Sequence, residues 1–282
     1  MRRKDKEIKL QPDDFPSNRW RQFLWVMRRH FFEVAMCSLL MGLFALPAAG
    51  WVFFVSATAF FDLSYLWNVF LVYLVLALLL GVMALGSAGA TFFFHRLTWN
   101  EGAYLYDDFF EGIRKNGKRF AAMGFLMGLL YFFIRLLTFF ADVDTSIDPG
   151  LKAVFLGLSY AFFILVFAVF SVMGPLDTTY EGGFMKNMGA SAKIALVSLY
   201  KGLWFDLLAL LPFFLFEFIP NIYAQMIVFL VSAAFYLGFG NLISTLYANS
   251  LFDRAFNRRL YPQAYRKGLT GQGDVNYEVV KK

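Results

Sequence analysis

Apolar residues in this chain do not alternate with polar ones. They gather into six blocks, at about residues 31–55, 69–94, 120–141, 151–173, 194–218 and 222–251. Each block exceeds the ~20 apolar residues that an α-helix needs to cross a bilayer. In lipid, a segment must satisfy its own backbone hydrogen bonds, and blocks this long without a period of two read as helices. The pattern predicts an all-α, polytopic membrane helix bundle with six transmembrane helices. It divides the chain into a basic segment 1–30, a six-helix domain 31–251 and a basic tail 252–282.

The polar links set the expected orientation. All of the 26 Lys and Arg except Arg135 and Lys152 lie before the first block, between the second and third, in the stretch Gly174–Lys201 that leads into the fifth, or after the last. The remaining links carry Asp62, Asp142, Asp144, Asp148 and Glu217. Positive charge is retained on the cytoplasmic side of a membrane, so both termini are expected to be cytoplasmic. Residues 18–30 mix Trp20, Phe23, Leu24 and Met27 with Arg19, Arg21, Arg28 and Arg29. They predict an amphipathic helix lying on an anionic membrane surface. Pro47 is expected to kink the first span, Pro212 to break the fifth, and Gly174-Pro175 to end the fourth.

Composition narrows the class. The chain is 59% hydrophobic and 16% charged, with 37 Phe among 282 residues and a mean hydropathy of +0.57. A soluble domain is about 25% charged. The net charge of +6 is spread over several links rather than gathered on one face, which argues against nucleic acid as a partner. One cysteine, Cys37, can form no internal disulfide. Neither His30 nor His95 belongs to a metal-ligand or triad pattern, so no catalytic, cofactor or metal site is expected, and no enzyme.

The stretch 86–120 is the main link, GSAGATFFFHRLTWNEGAYLYDDFFEGIRKNGKRF. It is read as an internal loop between helices 2 and 3 that holds an amphipathic surface helix. Tyr106, Phe109, Phe110 and Ile113 share one helical face. Asp107, Asp108 and Glu111 precede Arg114 and Lys115, in the order that complements a helix dipole. The aromatic face is expected to pack on the bundle and the charged face to be free for a cytoplasmic partner. The candidate docking residues are Arg96, Asp107, Asp108, Phe109, Phe110, Glu111, Arg114, Lys115 and Asn116. A weak echo follows: Phe110-Glu111-Gly112 before Lys115-Asn116, then Tyr180-Glu181-Gly182 before Lys186-Asn187. A duplicated helical hairpin would account for it, and so would chance among loop residues.

The same stretch resembles the YesL-like family of bacterial integral membrane proteins. The resemblance rests on Gly86-Ser87-Ala88-Gly89-Ala90-Thr91, Arg96, Asp108-Phe109-Phe110 and Lys115-Asn116, with Leu46-Pro47 and the tail NRRLYPQAYRKGL in support. Ser87 stands where the family has Pro. The resemblance implies a multi-pass protein of the bacterial cytoplasmic membrane. It further implies an accessory or regulatory role beside a carbohydrate import system, whose subunits would be the partners.

Asp206 is the chemically distinctive residue, because a carboxylate inside an apolar block must find a partner or water. It is a candidate intramembrane polar site together with Arg135 and Asn241. Asp206 is read either as a proton or cation site or as a hydrogen-bonded structural residue, with Asn68, Asn241, a Tyr or Arg135 as its partner. Arg135 is expected to snorkel to the interface. Gly157, Gly238 and Gly240 are expected where helices approach closely. A small-solute transporter or channel built on Asp206 is one alternative to the accessory reading; a structural scaffold is the other.

Overall fold

A computed structural model describes residues 16–58, 61–143, 148–180 and 182–269. The rest of the basic segment and tail, residues 1–15 and 270–282, lies outside the described residues, as do Asp144 and Glu181. The described residues form an all-helical bundle without a strand. In chain order the helices are α1 (Arg19–Arg29), α2 (Phe31–Ala57), α3 (Leu66–Thr98), α4 (Leu105–Val143), α5 (Pro149–Thr179), α6 (Phe184–Val197), α7 (Leu199–Ala209), α8 (Leu211–Phe218) and α9 (Ile222–Leu260). Two π-helical turns, Ser232–Tyr236 and Asp253–Asn257, interrupt α9. Five helices, α2 to α5 and α9, are long and apolar enough to cross a membrane. The α7–α8 pair meets that test only jointly, bent by 55°.

The expected surface helix between the second and third spans is not a separate element. Residues 105–119 are the first turns of α4, which runs 39 residues without a break. The connection from α3 shrinks to residues 99–104, where Asn100 and Gly102 take positive φ. Asp107 and Asp108 occupy the first turn, where negative charge favours the exposed N–H groups, and Asp108 accepts from the Tyr104 N–H at 2.6 Å. Nothing between there and the apolar block stops a helix, so helix and span fuse.

The α3–α4 pair is the structural axis. A Cβ on Gly124 would stand 2.5 Å from the Leu80 carbonyl oxygen, and one on Gly128 2.5 Å from the Ala77 Cα. Gly89 and Gly112 hold the same tight approach near the turn. Small residues bring two backbones together, which is the main attraction available between helices in lipid. Of the glycines expected at close approaches, Gly238 sits against Val34 and Ser38 of α2. Gly157 meets nothing within 4 Å and Gly240 has no contact nearer than 3.9 Å.

Prolines act unevenly. α2 runs through Pro47 as one helix, and α5 continues past Gly174-Pro175 to Thr179. Thr178 and Thr179 donate to the Gly174 and Pro175 carbonyls at 2.9 and 2.8 Å, and Gly174 lies against the Phe120 ring. The fifth block does break at Pro212, which lacks the N–H needed to continue α7.

The N-terminal helix is docked on the bundle. Gln22, Phe23 and Val26 of α1 are buried, with Phe23 and Val26 packed beside Phe93, Phe94 and Leu97 of α3 and Leu242 and Ile243 of α9. Trp20 and Leu24 stay exposed.

Candidate functional site

Charge concentrates where α1, the α3–α4 turn, the α5–α6 connection and the end of α9 meet. Gln22 donates to the Thr98 and Gly268 carbonyls at 2.6 and 3.2 Å. Arg19 pairs with Asp253 at 2.8 Å and donates to the Gln22 amide oxygen and the Lys267 carbonyl. Burial lowers the Arg19 guanidinium from its ordinary range, and Asp253 offsets part of that cost. Lys267 reaches Glu101 at 2.6 Å. Both ends of the described chain are thus tied to one end of the bundle.

Two buried carboxylates organise the same end. Asp108 of α4 pairs with Arg96 of α3. Asp177 of α5 accepts from Arg119 of α4 at 3.1 Å and from Asn187 of α6, and Arg119 also donates to the Gly182 carbonyl at 2.8 Å.

The candidate docking residues divide across α4. Phe109 is fully buried, Asp108 nearly so, and Asn116 is buried with them and with Gly112 and Phe120. The buried stripe is therefore rotated from the expected one: Phe109 faces α3, while Tyr106 and Phe110 are exposed, Phe110 by 55%. Asp107, Arg114 and Lys115 are exposed on the outward face, Glu111 is half-buried, and Lys115 pairs with Glu111 at 2.6 Å. Arg96 belongs to the Asp108 pair instead.

Asp206, Arg135 and Asn241 do not meet. Arg135 pairs with Glu217 of α8 at 2.8 Å rather than reaching an interface alone, and Tyr131 and Tyr160 also donate to that carboxylate. The Arg135 guanidinium stacks 5.0 Å from the Tyr73 ring centroid. Asn241 accepts from Thr91 at 3.2 Å. Asp206 is buried in α7 near Ser171 of α5, whose hydroxyl donates to the Ala168 carbonyl at 3.0 Å.

Glu217 and Asp177 were missed as site residues. Glu217 was read as an outer loop charge, yet its Phe-rich neighbours LPFFLFEF signal a carboxylate held in an apolar setting. Asp177 lies beyond the expected helix end at Gly174-Pro175. Among the described residues no three His, Cys, Asp or Glu side chains come together as a metal set. An open cleft of about 620 Å³ lies between the start of α1, α7 and the end of α9, and Asp206 is not part of its wall. The chain matches no protein-family model, no curated protein and no solved structure.

Proposed function

We propose that the chain is a six-span protein of the bacterial cytoplasmic membrane, similar to the YesL-like family, that acts without catalysis as an accessory or regulatory partner of a carbohydrate import system. The observation that carries this reading is the division of α4. One side binds Asp108, Phe109, Gly112 and Asn116 into the bundle. The other holds Tyr106, Asp107, Phe110, Arg114 and Lys115 outward, an aromatic and charged face on a rigid helix. Aromatic residues with nearby arginine are the types that anchor protein interfaces.

Six crossings and cytoplasmic termini have two supports. α6 begins beside Asp177 and Arg119, while α8 ends with Glu217 beside Arg135, near the other end of α4. Counting the bent α7–α8 pair as one crossing gives an even number. That agrees with the Arg19–Asp253 pair, which ties α1 to the end of α9. The basic links then share the cytoplasmic side.

A photo-crosslinker in place of Phe110, used in native membranes under sugar induction, tests the proposal. Capture of an import-system subunit is expected, and Arg114→Glu is expected to abolish it without changing the melting temperature. Capture of no such subunit overturns the reading.

One observation favours transport instead: the buried Asp206 carboxylate sits four residues before the bend at Leu210. Broken helices and buried charge mark transport sites. Flux through proteoliposomes that falls in Asp206→Asn would establish that alternative, and unchanged flux would remove it.

A further inference from the structure

The cleft between α1, α7 and the end of α9 has a wall of two kinds. Arg19, Lys201, Arg254 and Arg266 line it, and so do Phe205 and Leu246. Among the described residues the wall holds a single carboxylate, Asp253. That carboxylate is already committed, to Arg19 at 2.8 Å, to the Arg266 backbone N–H at 3.1 Å and to Asn257 at 3.0 Å. Lys201 and Arg254 are exposed and have no acidic partner among the described residues. Arg19 also keeps its Nε–H buried without a hydrogen-bond partner. Among the described residues, Lys201 and Arg254 therefore bring uncompensated positive charge to the wall, beside an apolar floor.

Trp20 at the mouth and Trp204, one turn from Lys201, are both strongly exposed. Exposed tryptophans mark the level where lipid headgroups meet the acyl region. Basic pockets between spans on the cytoplasmic side recognise anionic headgroups.

We propose that this cleft binds one anionic glycerophospholipid. Its phosphate lies against Lys201, Arg254 and Arg19, and its acyl chain runs along Phe205 and Leu246 toward the membrane. A neutral zwitterionic lipid lacks the net charge to offset the cations, and a free phosphate leaves the apolar floor uncovered.

The full chain is reconstituted in nanodiscs of phosphatidylcholine doped with phosphatidylglycerol, released, and assayed for retained lipid by native mass spectrometry. Retention of phosphatidylglycerol over phosphatidylcholine is expected. Lys201→Gln with Arg254→Gln lowers that retention about thirtyfold, because each removes one charge from the site. Both positions are exposed, and the charge-preserving pair Lys201→Arg with Arg254→Lys restores retention, which separates lost charge from lost fold. Arg258→Gln with Arg259→Gln, two charges off the wall of the cleft, leaves retention unchanged. Equal retention of the two lipids overturns the proposal, as does an unaffected Lys201/Arg254 pair or an equal loss in the Arg258/Arg259 pair. Inorganic phosphate that raises the melting temperature in detergent as much as phosphatidylglycerol does would overturn the lipid assignment.

Discussion

Two hairpins turn at the charged end of this bundle, and they are held by different means. α3 and α4 touch through their backbones along a run of glycines and alanines. α5 and α6 meet more loosely: a Cβ on Gly157, Gly183 or Gly189 meets nothing within 4 Å, and Leu196 and Val197 of α6 are exposed. What joins α6 to the bundle is side chains rather than backbone: Phe184, Met188, Ile194 and Ala195 pack in apolar clusters, and the Asp177 carboxylate holds Asn187 and Arg119. The sequence echo between the hairpins covers this difference. Phe110-Glu111-Gly112 lies inside α4, whereas Tyr180 and Gly182 lie in the α5–α6 connection, with Glu181 outside the described residues. Similar residues thus serve as a stretch of helix in one place and as a turn in the other. Lipid offers little hydrophobic reward for helix contact, so a hairpin is held by close backbones or by satisfied polar groups.

The strongest way to break this comparison is to add bulk on both sides. Gly124→Leu puts a side chain where even a Cβ would lie 2.5 Å from the Leu80 carbonyl oxygen, and backbone cannot step aside. We expect a loss of about 3 kcal/mol or more, read as a collapse of the monodisperse peak and of the melting temperature in detergent. Gly189→Leu in α6 meets open space and is expected to cost nothing, with a gain of at most about 1 kcal/mol from helix propensity. Equal effects at the two sites would show that the α3–α4 contact is not what holds the bundle.

Much of this architecture was legible in the chain because it depends on composition over long windows. The apolar blocks at 31–55, 69–94, 120–141 and 151–173 lie inside α2, α3, α4 and α5. Helix ends were less legible. Charged residues at 105–119 and 184–193 look like loop in a hydropathy reading, yet they are helical and bury one side, Asp108, Phe109, Gly112 and Asn116 in α4 and Asn187, Ser191 and Ala195 in α6. The buried face of α4 was misjudged for a related reason. Spacing alone favours the aromatic stripe Tyr106-Phe110, but what faces α3 is Gly112, where only a missing side chain allows the approach. Polar partners were the least legible, since Arg119–Asp177 and Arg135–Glu217 join residues far apart in sequence whose meeting depends on which spans are neighbours.

A second test targets the polar joint. In Asp177→Leu the Arg119 guanidinium and the Asn187 amide lose their shared acceptor. Breaking a fully buried pair costs about 3–5 kcal/mol, and Arg119 is partly open to solvent, so about 2 kcal/mol is expected. The cost falls on α6 rather than on the whole bundle. Cleavage at Lys186 by a lysine-specific protease is therefore expected to rise about thirtyfold, while the global melting temperature moves little. Asp108→Leu is the matching change in the first hairpin. It removes the partner of Arg96 and the acceptor of the Tyr104 N–H, but leaves the glycine contacts to hold α4 in place. Local opening there is expected to be much smaller. Comparable protease sensitivity at the two turns would show that both hairpins rely on their carboxylates.

The finest test is one of sign. Replacing a helical glycine by alanine removes backbone freedom from the unfolded chain and gains about 0.5–1 kcal/mol where the methyl fits. At Gly157 of α5 a Cβ meets nothing within 4 Å, so Gly157→Ala is expected to raise the melting temperature slightly. At Gly81 of α3 the same methyl would lie 3.2 Å from the Ala121 carbonyl oxygen, tighter than ordinary contact. Because α3 and α4 touch along a series of such points, relief at Gly81 would require the whole α3–α4 pair to shift, and Gly81→Ala is expected to lower the melting temperature by a similar amount. Opposite signs from one identical substitution would separate contact from helix propensity as the force that holds each hairpin. Two increases would mean that α3 and α4 can slide apart at little cost, and close packing would then be a consequence of the fold rather than its cause.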